Sequence, residues 1–359
     1  MRKESMEFLK RVLSVPAPSG YEAEFQKVWC DYVAPFADEI RTDSYGNAVA
    51  VLNPSGNPRV MLDGHCDEIA MMVKHIDDKG FIYVQQIGGI DTATLRTKRV
   101  AIHTERGIIR GVVGSTPSWL LKSAGAGEPK ELKIHEVWID IGAVDGKAAA
   151  ARVSVGDPVT FIDEFEMLSD RVFAARACDD KLGVWLAAEA LRLASQQKPK
   201  CAIFACSSVQ EETGCWGAKM LGNTVKPDVA VVLEVTHATD VPGLDPKQFG
   251  VVKLGAGPTL SLGRENHPEV IKRLRSVAKA KKLDLQIETF SMLGSNNARE
   301  LWTTQGGVPT VVIGVPDRYM HSTVETVDIL DLEHTAELVA AFCLDLKKGE
   351  RFKVRIGGR

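Results

Sequence analysis

Cys201-Ala202-Ile203-Phe204-Ala205-Cys206 runs directly into Ser207-Ser208-Val209-Gln210-Glu211-Glu212-Thr213-Gly214. The first six residues are an uninterrupted apolar run of strand length, the pattern of a strand buried on both faces. Two adjacent glutamates then stand past its carboxyl end, where open α/β sheets place their ligands. The Thr-Gly that follows suits a loop in which the two side chains diverge, one towards a metal and the other towards a proton. Taken alone, a Glu-Glu pair is a solvated acidic turn, because charged residues are mostly exposed. The rest of the chain decides between the two readings.

On either side of this stretch, helical and strand patterns alternate. Phe8, Leu9, Val12 and Leu13 recur at helical spacing until Val15-Pro16-Ala17-Pro18 stops them. A second helix is predicted from Ser19, with Glu22 completing a capping box. Strand runs follow at Ala48–Leu52 and Arg59–Leu62, the second leading into Asp63-Gly64-His65-Cys66-Asp67. After Phe173 come a helix over 182–195, strands at 229–233, 285–290 and 310–315, and helices over 268–281 and 331–347. Such alternation predicts a mainly parallel mixed sheet flanked by helices, an α/β fold. Between 68 and 165 the texture differs, with short strands at 73–76, 81–85, 100–104, 108–113, 137–141 and 159–162 separated by tight turns. That spacing predicts a small β-barrel or sandwich. Lys122 to Lys133 reads as a loop. The expected division is a discontinuous α/β domain, 1–67 plus 166–359, with a β-rich insertion at 68–165.

Five features end or follow strands of the α/β part: His65 with Asp67, Asp179 with Asp180, Glu211 with Glu212, Glu234, and His321. Singly each has an ordinary explanation: Asp179-Asp180, for instance, is an adequate N-cap for the helix that follows. Together on one sheet edge they form a carboxylate cluster whose members repel. A divalent cation removes that cost. Imidazoles and carboxylates without thiolate fit a catalytic zinc, cobalt or manganese site better than a cysteine-rich structural zinc site. Two histidines and three carboxylates suffice for two ions if one carboxylate bridges them, which leaves a glutamate free as general base. On a strand, His65 and Asp67 would share a face, so that Asp67 accepts the second ring proton of His65. Cys66 and Cys178 adjoin these residues and Cys215 lies close by. As neighbours of inward-facing ligands they are expected to point elsewhere and act as small hydrophobes.

Composition bounds the partners. The 359 residues carry a net charge of −3, giving no reason to expect nucleic acid or an anionic membrane surface. No uncharged apolar run reaches membrane-spanning length. Seven scattered cysteines without a CxxC pair point to a reducing compartment, and no signal peptide is evident, so the expected location is the cytoplasm.

With these motifs in order, the chain resembles the dinuclear-metal aminopeptidases that assemble into tetrahedral dodecamers, also called deblocking or glutamyl aminopeptidases. The resemblance rests on Pro18-Ser19-Gly20-Tyr21-Glu22, Asp63-Gly64-His65-Cys66-Asp67-Glu68, Arg176-Ala177-Cys178-Asp179-Asp180-Lys181, Val209-Gln210-Glu211-Glu212-Thr213-Gly214 and Arg318-Tyr319-Met320-His321-Ser322. It implies a zinc-exopeptidase-like fold and a peptide substrate. Asp179 would bridge two ions, zinc first and cobalt or manganese as alternatives, with His65 and Glu234 on one and Glu212 and His321 on the other. Glu211 would be the general base and Asp67 would orient His65. The resemblance also implies a cis Asp179–Asp180 peptide, an insertion that mediates dimer contacts, and self-association into a hollow particle.

Three positions depart from the family pattern. Glu234 replaces the usual aspartate, Gly294-Ser295-Asn296-Asn297-Ala298 replaces a Thr-Asp-Ala run, and Trp119 stands where histidine is more usual. The loss of the carboxylate at Asn297 is expected to alter substrate recognition. Carboxypeptidase or N-acyl-amino-acid deacylase activity on the same scaffold, or a non-catalytic peptide-binding member, are the alternatives that these departures raise.

Overall fold

In chain order, the computed structural model opens with helices α1 (Lys3–Ser14) and α2 (Ala23–Val33) and strands β1 (Glu39–Thr42), β2 (Ala48–Leu52) and β3 (Arg59–His65). It describes residues 1–117, 119–120, 132–292, 294–354 and 356. Six strands follow: β4 (Ala70–Ile76), β5 (Ile82–Ile87), β6 (Arg99–Thr104), β7 (Gly107–Gly114), β8 (Trp138–Asp140) and β9 (Pro158–Phe161). The chain continues through β10 (Glu166–Met167), β11 (Val172–Ala175), α3 (Cys178–Ser195), β12 (Ala202–Ser208), α4 (Trp216–Val225) and β13 (Val229–His237). It closes with β14 (Thr259–Leu262), α5 (Pro268–Lys281), β15 (Gln286–Thr289), β16 (Thr310–Asp317), β17 (Glu325–Asp328) and α6 (Ile329–Asp345).

Strand β12, the apolar run that opened the sequence reading, is buried along its whole length and lies inside an eight-stranded sheet. The order is β1-β2-β12-β3-β13-β16-β14-β15. Strands β12, β3, β13 and β16 are mutually parallel, while β2 and β14 run antiparallel beside them. Strand β3 lies between β12 and β13, both parallel to it, and the chain reaches β13 from β12 through α4, so the carboxyl ends of all three strands come together at one edge of the sheet, where such sheets place their ligands. Side chains alternate between two cores. Val60 and Leu62 of β3 face the layer that includes Leu9, Trp29 and Trp185, and Met61 faces the layer that includes Ala218 and Leu221. Strands β4–β9 form a separate closed barrel, β4-β5-β8-β7-β6-β9, around its own core of Met71, Val73, Ile82, Val100, Ile102 and Val159.

The predicted capping box at Ser19 does not form. Helix α2 starts at Ala23 without a side-chain cap. The Ser19 hydroxyl instead donates to Asp67 at 2.6 Å, and Glu22 accepts the Gly20 N–H at 2.7 Å. Ser19 is taken by a tertiary contact that local pattern cannot show, and Glu22 by the turn before the helix and by the distant Gln210 N–H, which it accepts at 3.2 Å. The edge strand β1, the strand β14 between β16 and β15, and helix α4 were not among the elements expected from sequence. Of the loop read at 122–133, residues 122–131 lie outside the described residues. Among the described residues no helix is long and apolar enough to cross a membrane.

Candidate metal centre

Strand β3 ends on His65, which is almost completely buried. Its Nδ1 lies 3.1 Å from the main-chain carbonyl of Asp67, so this nitrogen carries the proton and donates it. That leaves Nε2 aimed at carboxylates: Asp179 Oδ1 at 3.1 Å, Glu234 Oε1 at 3.6 Å and Glu211 Oε2 at 3.8 Å. His321 is arranged in the same way. Its Nδ1 donates to the Gly89 carbonyl at 2.7 Å, and its Nε2 faces Asp179 Oδ2 at 3.1 Å and Glu212 Oε1 at 3.7 Å. Two ligand-competent groups result, His65–Asp179–Glu234 and Asp179–Glu212–His321, each with its donor atoms within 4.8 Å of one another. Asp179 gives one oxygen to each. The structure therefore brings together all five residues expected as ligands, with Glu211 beside them, and the longer Glu234 side chain still reaches the set.

Buried groups behind the ligands hold them. The Asp179–Asp180 peptide is cis. Asp180 accepts the His65 N–H at 3.1 Å and the Gly183 N–H at 2.9 Å, so it caps the regular part of α3 that begins after the non-helical Asp179 and Asp180, while Asp179 faces the site. Glu325 accepts from the Cys178 N–H at 2.6 Å and from the His321 N–H at 2.9 Å, tying the two chain segments together. Asp67 accepts the N–H groups of Glu211 at 2.9 Å and Glu212 at 3.1 Å. Since β3 stops at His65, strand alternation does not relate His65 to Asp67. The Asp67 carboxylate lies 3.4 Å from Nδ1, farther than its own carbonyl, and its nearer partners are the main chain of the glutamate pair and Ser19.

The electrostatics fit a cation. Burial, with Asp179 nearby, pushes Glu212 well above the usual carboxylate range, and burial with Asp180 does the same to Glu234. Burial moves Glu211 up to about 7, opposed by His65 and reinforced by Asp179 and Asp67. The hydrogen bond to Asp179 raises His321 to about 9. Protons are thus retained where carboxylates crowd, and a divalent ion in each group would take their place. Imidazoles whose second nitrogen is fixed by a carbonyl are the usual form of histidine ligands. The residues present therefore fit two metal ions.

Four contributions escaped sequence reading. Glu325 gave a weak signal as an acidic residue four positions after His321. Gly88-Gly89 could have been noticed as a glycine pair closing β5. Asp180 was assigned only a capping role. Cys215, expected to be inert, donates its thiol to Glu211 Oε1 at 3.1 Å. Asn297 corrects an expectation outright. It is 1% exposed, and its amide donates to Asp63 and to the Ser208 hydroxyl, both at 2.9 Å. It supports the sheet beneath the site and does not face a substrate. Trp119 is exposed.

The centre opens into a cavity of about 740 Å³, lined beyond the ligands by Cys215, Trp216, Lys219, Arg264, Phe290 and Arg299. Against known proteins, residues 46–338 match the model of the M42 glutamyl aminopeptidase family. The lysyl aminopeptidase of Pyrococcus furiosus is 32% identical over 95% of this chain and 97% of its own length. A TET aminopeptidase from a marine sediment archaeon of the Thaumarchaeota superposes with a TM-score of 0.91 at 31% identity, covering 96% of this chain and 98% of that one. The TET1 peptidase of Pyrococcus horikoshii, described as able to assemble into a tetrahedron or a large octahedral shell, gives 0.84 at 28% identity, over 95% of this chain and all of that one.

Proposed function

Because the chain belongs to the M42 glutamyl aminopeptidase family and is an aminopeptidase, a hydrolase that removes N-terminal residues, we propose that the crevice at the carboxyl ends of β3, β12, β13 and β16 is its dinuclear active centre. The observation that carries this is the shared position of Asp179, one oxygen towards each histidine. His65, Asp179 and Glu234 would hold one ion, and Asp179, Glu212 and His321 the other. Zinc is the first choice, with cobalt or manganese as alternatives. When bound, two such ions supply Lewis-acid polarisation of the scissile carbonyl and of the attacking water.

The chain's own groups do the rest. Glu211 is in the cavity wall beside the ligands but in neither ligand group. It takes the proton of the water through its carboxylate and passes it to the leaving amine. Asp67 holds the main chain of Glu211 and Glu212, so the base and a ligand keep a fixed spacing. Residues 1–67 with 166–359 form the catalytic unit, and the barrel within 68–165 serves self-association. The assembled relative supports a closed particle for this chain, one that admits peptides. Cysteines that are all free and mostly buried support a reducing, cytoplasmic location.

The test is hydrolysis of one peptide presented with a free or an acetylated N-terminus, with metal content measured on the same sample. Release of the N-terminal residue from the free form, with two ions per chain, is expected. Cleavage of the acetylated form alone, or fewer than one ion in active protein, overturns the reading. Light scattering of the native protein reports on assembly, and a monomer would remove the role given to the barrel.

A further inference from the structure

Membership of the family leaves the preferred N-terminal side chain open, since a relative named for lysine sits within a family described by glutamate. The far wall of the cavity bears on it. Beyond the ligands, three cationic side chains line that wall: Lys219, Arg264 and Arg299. Lys219 and Arg299 are half exposed and share Glu300, at 3.3 Å and 3.7 Å. They are rim residues with a counter-ion and with water.

Arg264 is different. Its side chain is only 9% exposed, and its guanidinium lies over the Phe290 ring, 4.1 Å from the centroid. The nearest carboxylate, Glu265, is 3.7 Å from Nε, beyond hydrogen-bonding distance, and Nε has no hydrogen-bond partner among the described residues. Gly294 lies against the other end of the group, where a Cβ would come within 2.6 Å of Nη1. Hydrogen at position 294 is therefore what makes room for the guanidinium. A buried cation without hydrogen bonds is costly. Stacking on Phe290 and the nearby Glu265 charge fix its plane, while the terminal nitrogens keep the forked geometry that matches a carboxylate.

We propose that Arg264 binds a carboxylate of the substrate peptide, making it a specificity-determining residue of the aminopeptidase site proposed above, on which this inference rests. Two carboxylates could fill that place: the acidic side chain of an N-terminal Glu or Asp, and the C-terminus of a dipeptide.

The metal-loaded native oligomer is assayed with glutamyl and glutaminyl p-nitroanilides, and with Ala-Ala and Ala-Ala amide. A charge-assisted hydrogen bond predicts that kcat/KM favours the acid of one pair by about 10- to 100-fold. Preference within the first pair identifies the side chain, and within the second the C-terminus. In Arg264→Gln the preferred ratio falls to near one. Gly294→Ala, which keeps the arginine but pushes its guanidinium out of position, lowers the same ratio. Calorimetric binding of L-glutamate and L-glutamine reads the side-chain discrimination without turnover. Glutamate selectivity lost in Arg264→Gln but found in a protein that cleaves no substrate supports Arg264 and sinks the aminopeptidase reading of the site. Ratios near one for both pairs in the wild type, or a preference that survives Arg264→Gln, overturn the proposal.

Discussion

The two halves of the candidate centre are built differently although they share Asp179. The His65 half is a product of the sheet. Its histidine ends the central strand β3, Glu234 lies on the adjacent β13, and the His65 side chain is 2% exposed. The His321 half is assembled by loops. His321 sits beyond β16 at φ +62°, is 37% exposed at its side chain, and has its ring held by a carbonyl of the segment that follows β5 of the barrel. One half inherits its geometry from strand register, and the other depends on how the inserted barrel docks. The comparison gives the inserted segment a part in the candidate centre, that of fixing the His321 ring through the Gly89 carbonyl.

Glu211 lies 3.8 Å from His65 Nε2 and in neither ligand group, and as the proposed general base its removal is expected to have the largest effect. Glu211→Gln is expected to lower kcat by about 10²- to 10⁴-fold, the range for a general base, while metal analysis still finds two ions per chain. Full activity in that variant would remove Glu211 from the mechanism. Next in size is a change aimed at the loop-built half alone. A Cβ at Gly88 would lie 2.9 Å from Glu212 Oε2 and 2.9 Å from the Ile69 side chain, at a φ of +73° that favours glycine. Gly88→Ala should weaken one of two ion-binding steps by about 10- to 100-fold, as loss of outer support does, and leave the other step unchanged. Equal weakening of both steps in a titration would show that the halves are not separable. A smaller effect is expected from Cys215→Ser, because a hydroxyl still donates to Glu211. A change of about 2- to 10-fold in kcat with KM steady follows from one neutral hydrogen bond, and Cys215→Ala should exceed it.

The same division explains what the sequence made legible. Strand β12, the parallel alternation around it, and the barrel strands announced themselves by apolar runs and turn residues, and all five candidate ligands were readable because metal chemistry restricts residue types. The missing parts have no local signature. Glu325 and Asp180 act through main-chain N–H groups, which any acidic residue could accept. The Gly89 carbonyl belongs to no side chain at all. Ser19 and Glu22 formed a sound capping pattern, yet the tertiary partners Asp67 and Gln210 won. Arg264 went unremarked because an arginine after a Gly reads as solvated surface until Phe290 and Gly294 are seen against it.

Asn297 is the sharpest case of a position whose meaning changed. A missing carboxylate near the ligands suggests altered substrate recognition, but its amide lies under the sheet edge and donates to Asp63 and Ser208. Asn297→Asp removes both donations and sets a second buried acid beside Asp63. Leaving a buried acceptor unsatisfied costs about 1–3 kcal/mol, so denaturant unfolding of the native oligomer should show a loss of that order. Turnover should change least of all the variants considered, because no ligand moves. A raised KM with unchanged stability would return Asn297 to the substrate cavity. A stability loss with steady KM would place it with Asp180, among the buried groups that hold the sheet-built half rigid.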